Sequence, residues 1–127
     1  MPVADPECLV GLRVLVVEDE MLIAMTIEDM LEDLGCSVLG HASSVEDALE
    51  RVNRERPDAV TLDGNLAGQM SSPVAERLAD LGIPYVVITG YIESTLADPI
   101  LSKAPRLSKP FTSASLAHAA ALHLCRP

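Results

Sequence analysis

One aspartate in this sequence is placed where a side chain can do chemistry. Asp63 comes directly after a short apolar run, residues 59–62, which has the composition of a strand buried on both faces of a sheet. Gly64 and Asn65 follow it and end the strand. In an open α/β sheet, ligands lie at the carboxyl ends of the strands, so Asp63 could meet a ligand or a transferring group there. The alternative from this stretch alone is an ordinary Asp-Gly turn.

Other polar side chains follow other apolar runs in the same way. Glu18 and Asp19 come after the first run, Thr89 ends the fourth, and Lys109 follows the last. Parallel strands share one carboxyl edge, so these four side chains can meet Asp63 in one crevice. Three carboxylates that close repel one another unless cations balance them. Lys109 supplies one positive charge, and Mg²⁺ is predicted as the second, because oxygen ligands without histidine or thiolate select a hard ion.

The predicted crevice suits phosphoryl transfer to Asp63. An aspartate can attack phosphorus and form an acyl phosphate. Mg²⁺ and Lys109 would offset the charge on the phosphoryl oxygens, and the Thr89 hydroxyl could donate a hydrogen bond to one of them.

The elements that must hold these residues alternate along the chain. Apolar runs predict strands, and apolar residues spaced by three and four predict amphipathic helices between them. The predicted strands are residues 12–17, 36–40, 59–62, 83–90 and 106–108. Repeated alternation with short connections predicts an α/β fold with a five-stranded parallel sheet and helices on both faces. The segment from Tyr91 to Pro105 is irregular and contains Pro99, so the fourth helix is predicted to be short or irregular.

Length and composition indicate one domain with an aliphatic core. The chain has 127 residues, of which 49% are hydrophobic and only 2% aromatic, so Val, Leu, Ile, Ala and Met must fill the interior. Residues 1–11 lack periodicity and are predicted to form a flexible N-terminal tail, with a single domain over residues 12–125.

Charge and cysteine usage restrict the partners and the compartment. The formal net charge of −10 repels phosphate backbones and anionic lipid, so binding to nucleic acid or to a membrane is disfavoured. The sequence contains neither a secretory segment nor an apolar run of spanning length, which favours a cytoplasmic location. Cys8, Cys36 and Cys125 have no metal-ligand spacing and are expected to be free thiols.

Four motifs, taken in order, resemble the receiver domain of two-component response regulators. They are Val-Leu-Val-Val-Glu-Asp-Glu at residues 14–20, Leu-Asp-Gly-Asn-Leu at 62–66, Ile-Thr-Gly-Tyr at 88–91 and Ser-Lys-Pro-Phe at 108–111. The resemblance extends from about Leu12 to Leu124. The Thr-Gly-Tyr run is similar to that of stand-alone, single-domain receivers. The resemblance as a whole implies a flavodoxin-like fold.

The resemblance also implies roles for the residues at the sheet edge. Asp63 would be phosphorylated by a sensor histidine kinase or a phosphotransfer protein. Mg²⁺ would be bound by Asp19, Asp63 and the backbone carbonyl of Asn65. Glu18 stands where the family more often has Asp, and its longer side chain would reach the metal through water. Thr89 would be the switch hydroxyl.

Lys109 would pair with the phosphoryl group, and the peptide bond between Lys109 and Pro110 is typically cis in the family. The family's aromatic switch residue falls near Arg106 in this chain, which puts the usual coupling between threonine and aromatic in question. Tyr91 is a candidate replacement and, with Arg106, a candidate tuning residue. The alternative for Tyr91, a half-exposed loop tyrosine, is favoured.

These observations predict a phosphorylation switch or relay that signals through contacts with an unidentified downstream protein and is not an enzyme beyond its own phosphorylation and dephosphorylation. An alternative is a small Mg²⁺-dependent phosphatase, similar to haloacid dehalogenases, with Asp63 as nucleophile. Such enzymes carry a second acid two residues later, where this chain has Asn65. A third reading is an adaptor that keeps the fold without phosphorylation.

Overall fold

The architecture is an alternation of strands and helices along the chain. The structure is a computed structural model and describes residues 6–90 and 98–125. Its strands are β1 (Arg13–Val17), β2 (Ser37–Ala42), β3 (Ala59–Asp63), β4 (Asn65–Leu66), β5 (Gln69–Met70), β6 (Tyr85–Thr89) and β7 (Arg106–Ser108). Its α-helices within those ranges are α1 (Met21–Asp33), α2 (Val45–Glu55), α3 (Ser72–Leu81) and α4 (Ser113–His123).

Five of the strands form one parallel sheet in the order β2-β1-β3-β6-β7. β3 is central, and every one of its residues is buried, as its apolar sequence predicts. This order is the flavodoxin-like one, in which the chain reverses direction across the sheet beside the first strand. The predicted five-stranded parallel sheet is confirmed.

Helices cover both faces of the sheet and divide the core in two. On one face, α2 and α3 pack on the sheet through Val52, Leu78 and their buried neighbours. On the other face, α1 and α4 pack through Ile27, Leu31 and Leu116. Both cores consist almost entirely of aliphatic side chains, as the low aromatic content predicts. The longest of these helices has 13 residues, and none of the described helices is long and apolar enough to cross a lipid bilayer.

Local signals explain where several helices begin and end. The Ser44 side chain accepts a hydrogen bond from the Asp47 N–H (3.1 Å) at the start of α2. Thr112 and Ser115 form a reciprocal capping box at the start of α4. α3 ends at Gly82, which has a φ of +69° that a residue without a Cβ adopts at little cost.

The segment between β6 and β7, predicted to hold a short or irregular helix, contains a 3₁₀ turn and no α-helix over its described residues 98–105. The Asp98 carboxylate accepts hydrogen bonds from the N–H groups of Ile100 (2.9 Å) and Leu101 (3.0 Å), and residues Leu101–Lys103 form a 3₁₀ turn. The Leu101 side chain is fully buried. Residues 91–97, including Tyr91, lie outside the described residues.

The N-terminal segment is docked on the domain from residue 6 onward. Pro6–Leu9 form a 3₁₀ helix, and the Leu9 side chain is fully buried. The Gly11 N–H donates to the Gly35 carbonyl at 2.8 Å. The expectation of a flexible tail over residues 1–11 is therefore corrected for residues 6–11. A single leucine produces no periodicity, and this is why the sequence pattern did not reveal the contact.

The cysteines also differ from expectation. Cys8 and Cys125 are joined by a disulfide, whereas Cys36 is a free, buried thiol. The expectation of three free thiols is therefore wrong for Cys8 and Cys125. Their partnership depends on the docking of both chain ends at the same place, which local sequence does not indicate.

Candidate functional site

The carboxyl ends of the strands bring the predicted polar residues to one place. Leu62 lies opposite Val17 of β1, and Asp63 lies opposite Ile88 of β6. β1 therefore ends beside the end of β3, and the two residues that follow it, Glu18 and Asp19, reach the edge where Asp63 lies.

Three carboxylates form the centre of the site. Glu18, Asp19 and Asp63 each offer an oxygen within 4.8 Å of the others. Glu18 and Asp63 are buried, and Asp19 is more exposed. Mg²⁺ prefers such oxygen ligands, usually one or two carboxylates together with water. The donor set present here therefore fits Mg²⁺.

The Lys109 ammonium group contacts two of these acids. Its Nζ lies 3.0 Å from Oε1 of Glu18 and 3.5 Å from Oδ2 of Asp63. Burial lowers the pKa of Lys109, but the hydrogen bond to Glu18 and the negative charges of Asp63 and Glu18 outweigh it, so the pKa lies above the ordinary lysine value. Lys109 is therefore a permanent positive charge in the site.

The pKa of Asp63 lies far above that of an ordinary aspartate. Burial raises it most, and a hydrogen bond and like-charge repulsion from Glu18 add to the effect. Lys109 and the Asn65 N–H, which donates to Asp63 Oδ1 at 3.2 Å, act in the opposite direction. The net result is a pKa of about 7 in the absence of metal. At neutral pH the Asp63 carboxyl is therefore only partly ionised in the absence of metal, and a bound cation would favour its charged form.

Glu18 is fixed at both of its carboxylate oxygens. Oε1 accepts from Lys109, and Oε2 accepts from the backbone N–H of Glu20 at 3.1 Å. The resemblance noted in the sequence implies that Glu18 reaches the metal through water, and the structure makes Glu18 the nearer of the two carboxylate partners of Lys109.

A small antiparallel hairpin, β4–β5, covers the site beside Asp19. The N–H of Ala67 donates to Asp19 Oδ2 at 3.2 Å, and the N–H of Gly68 donates to Asn65 Oδ1 at 2.8 Å. Ala67 and Gly68 have φ values of +52° and +90°, as a two-residue hairpin turn requires. Sequence reasoning missed this hairpin. Gly68 was a visible signal for it, but an alanine rarely adopts a positive φ.

Thr89 lies at the end of β6 with its side chain buried. Its carbonyl accepts a hydrogen bond from the Lys109 N–H at 2.9 Å, which holds the two strand ends together. Arg106, in β7, is half-buried and donates from Nη2 to the Ser102 carbonyl at 2.8 Å. The Arg106 guanidinium therefore contacts the connection between β6 and β7.

An apolar groove adjoins the site. The Lys109–Pro110 peptide bond is cis, which confirms the prediction. Beside it is a cavity of about 380 Å³ lined by Ile23, Thr26, Met30, Gly90, Lys109, Pro110 and Phe111. Three further apolar side chains of α1, Met21, Leu22 and Met25, are exposed to solvent.

Known proteins with related sequences or structures point to one family. The family model described as "Response regulator receiver domain" matches residues 14–121. The transcriptional regulatory protein PdtaR of Mycobacterium tuberculosis is 30% identical over 128 residues, which are 98% of this chain and 62% of that protein. This chain therefore spans less than two thirds of that relative's length.

Solved structures give the same result. The BeF3-activated conformation of SdrG from Pseudomonas melonis Fr1 is 45% identical, with a TM-score of 0.73 over 88% of this chain and 97% of that chain. The response regulator PhyR from Brucella abortus is 33% identical, with a TM-score of 0.77 over 91% of this chain and 48% of that chain.

Proposed function

This chain belongs to the response regulator receiver domain family, and we propose that its Asp63 accepts a phosphoryl group from a sensor histidine kinase or a phosphotransfer protein. The observation that carries the proposal is the placement of Asp63 at the end of the central strand, within reach of two further acids and an ammonium group. An oxygen of the ionised Asp63 carboxylate attacks phosphorus. An O–P bond forms as the N–P bond of a phosphohistidine breaks, and the donor imidazole takes up a proton.

The residues of the site suit this reaction electrostatically. The Asn65 N–H and the Lys109 ammonium group contact opposite oxygens of Asp63 and stabilise its charged form. We propose that Asp19, Asp63 and the Asn65 carbonyl hold Mg²⁺, with Glu18 contributing through water. When bound, Mg²⁺ would supply positive charge against the phosphoryl oxygens.

The proposed switch exchanges partners around Lys109. A phosphoryl group on Asp63 adds negative charge beside the ammonium group, which then divides its contacts between Glu18 and the new oxygens. The Thr89 hydroxyl would donate to another phosphoryl oxygen. The Thr89 carbonyl accepts a hydrogen bond from the Lys109 N–H. A displacement of either residue would therefore also displace the end of the other residue's strand.

Arg106 and Tyr91 are proposed to tune this response. The aliphatic and charged side chain of Arg106 replaces an aromatic ring, and it contacts the carbonyl of Ser102 in the β6–β7 connection. This hydrogen bond links β7 directly to the segment that connects it to β6. Tyr91 follows Thr89 by two residues, and its role as a substitute for the aromatic remains a prediction.

The face of α1 beside the site is proposed to receive the phosphodonor. Met21 and Leu22, 65% and 80% exposed, follow the acids Glu18 and Asp19 directly in the chain. Exposed apolar side chains of this size, next to the reacting group, suit a partner that must come close enough for phosphoryl transfer. The downstream partner is proposed to be a protein. The charge of −10 supports the proposal that the chain binds neither nucleic acid nor a membrane surface. A cytoplasmic location remains a prediction.

The alternative of a small phosphatase is not favoured. The family match covers residues 14–121, and Asn65 occupies the position where the phosphatase would need its second acid. Receiver domains generally signal and are not catalysts.

A stoichiometry measurement separates the two functions. The purified chain is incubated with Mg²⁺ and a small phosphodonor such as acetyl phosphate, and both bound phosphoryl group and released phosphate are followed. The proposal predicts about one phosphoryl group per chain, absent in Asp63→Asn and retained in the control Asp80→Asn on the exposed side of α3. Sustained turnover of generic phosphate esters would contradict it.

A further inference from the structure

A disulfide links the two ends of the described domain. Cys8 lies in the N-terminal 3₁₀ helix, and Cys125 lies just beyond α4, 117 residues away in sequence. Both belong to the amino edge of the sheet, where Leu12 precedes β1 and Asp58 precedes β3. Because the strands are parallel, this edge is opposite the acidic site.

Buried neighbours bring the two cysteines together. Leu9 and Leu124, each adjacent to one cysteine, are fully buried in the same apolar cluster. The N-terminal segment is otherwise short, and the hydrogen bond from the Gly11 N–H to the Gly35 carbonyl ties its end to the turn after α1. Such a segment opens locally more easily than the sheet does. The bond between the sulfurs is therefore the contact that can decide whether the segment stays docked.

Small molecules can approach the disulfide from solvent. Cys8 and Cys125 are half-buried and line a cavity of about 300 Å³ together with Leu12 and Asp58. Cys36 is different, because burial raises its pKa to about 11 and keeps it as an unreactive thiol. Exchange chemistry is thus directed to the Cys8–Cys125 pair.

We propose that Cys8 and Cys125 form a reversible redox site that exchanges with low-molecular-weight thiols and disulfides and so controls docking of the N-terminal segment. In reduction, an external thiolate attacks one of the two sulfurs, the S–S bond breaks, and the other cysteine leaves as a thiolate that takes up a proton. A second external thiol then releases the mixed disulfide as an external disulfide and frees the second protein thiol. Oxidation is the reverse sequence, with the external disulfide as oxidant.

The site lies beyond the proposed phosphoryl chemistry and does not depend on it. Oxidation closes a loop of 117 residues, which restricts the unfolded chain and stabilises the folded one. We expect the oxidised chain to melt about 10 °C higher than the reduced chain. Backbone amides of residues 9–12 should exchange with solvent more slowly in the oxidised chain than in the reduced chain. Phosphorylation of Asp63 should be the same in both forms.

The test uses the full chain in glutathione buffers. Samples are equilibrated in mixtures ranging from about 10 mM reduced to about 10 mM oxidised glutathione, quenched with an alkylating reagent and analysed by peptide mass spectrometry. The proposal predicts a reversible transition between the Cys8–Cys125 crosslink and two free thiols. It is overturned if the crosslink never forms in oxidised glutathione. It is equally overturned if the folded chain keeps the crosslink through hours in reduced glutathione, since the disulfide would then be a fixed structural bond.

Variants locate the effect. The double variant Cys8→Ser/Cys125→Ser should melt at the same temperature in both buffers, close to the reduced wild type. Cys36→Ala should keep the redox-dependent melting shift. A shift that survives in the double variant, or that disappears in Cys36→Ala while that chain is folded, would refute the assignment to Cys8 and Cys125.

Discussion

Lys109 pairs with the buried carboxylate of Glu18, with 3.0 Å between Nζ and Oε1, and lies farther from Asp63, at 3.5 Å. The ammonium group is therefore shared between Glu18 and Asp63, the aspartate that is proposed to react. In the metal-free protein, Glu18 both occupies Lys109 and adds negative charge beside Asp63. Burial, together with the hydrogen bond and the negative charge of Glu18, raises the pKa of Asp63 to about 7.

Replacing Glu18 should make Asp63 more acidic. Glu18→Gln removes the neighbouring charge and leaves Lys109 free to contact Asp63, and both effects favour the ionised aspartate. We expect the pKa of Asp63 to fall clearly below about 7. An NMR titration of the Asp63 carboxyl carbon measures it, with Asp80→Asn as the control. An unchanged titration would mean that Glu18 does not govern the charge of Asp63.

Neutralising Asp63 should stabilise the metal-free protein above neutral pH. The folded-state pKa of about 7 lies above the unfolded value of 3.8, so the unfolded chain releases this proton first. This residue's contribution to stability is therefore greatest below about pH 4 and falls as pH rises to about 7. Asp63→Asn should raise the free energy of unfolding by up to about 4 kcal/mol at pH 8 and by much less at pH 4. Urea unfolding at both pH values measures this, and a pH-independent difference would contradict it.

Magnesium should stabilise the folded chain beyond the effect of salt. A ligand held by the native carboxylates at ten times its dissociation constant contributes about 1.4 kcal/mol. Because the chain carries a charge of −10, salt alone also stabilises it, and the comparison must be made at equal ionic strength in NaCl. The excess rise in melting temperature with MgCl₂ should be lost in Asp19→Ala and kept in Asp80→Asn. Equal melting temperatures in the two salts would remove the case for a metal site.

The hairpin over the site should gain stability from glycine at residue 67. Ala67 has a φ of +52°, which costs an L-residue about 1–2 kcal/mol that glycine avoids. Ala67→Gly should raise the free energy of unfolding by up to about 1 kcal/mol, because the extra freedom of glycine in the unfolded chain offsets part of the gain. Ala79→Gly, in the exposed face of α3, should lower it by about 1 kcal/mol. Destabilisation by both changes in urea unfolding would show that Ala67 is not strained.

The sheet and the placement of its polar residues could be predicted from the sequence, because strand ends are marked in the chain itself. The apolar run before Asp63 and the Thr89-Gly90 break both define an edge, and a parallel sheet has one carboxyl edge. That logic placed Asp19, Asp63 and Lys109 together without any knowledge of side-chain contacts.

Other features depend on contacts between distant parts of the chain and were not predictable from local patterns. The sequence places Glu18 and Lys109 in one crevice but does not show that Lys109 lies nearer to Glu18 than to Asp63. The β4–β5 hairpin requires Ala67 in a conformation that alanine disfavours. The docking of the N-terminal segment depends on one buried residue, Leu9, and on a cysteine partner 117 residues from Cys8.

The most direct test of the central claim is to locate the phosphoryl group after phosphorylation by a phosphohistidine donor in the presence of Mg²⁺. Peptide mass spectrometry of the freshly labelled chain should place a single, base-labile phosphoryl group on Asp63, and Asp63→Asn should carry none. A phosphoryl group on any other residue of the wild type, or undiminished labelling of Asp63→Asn, would contradict the account.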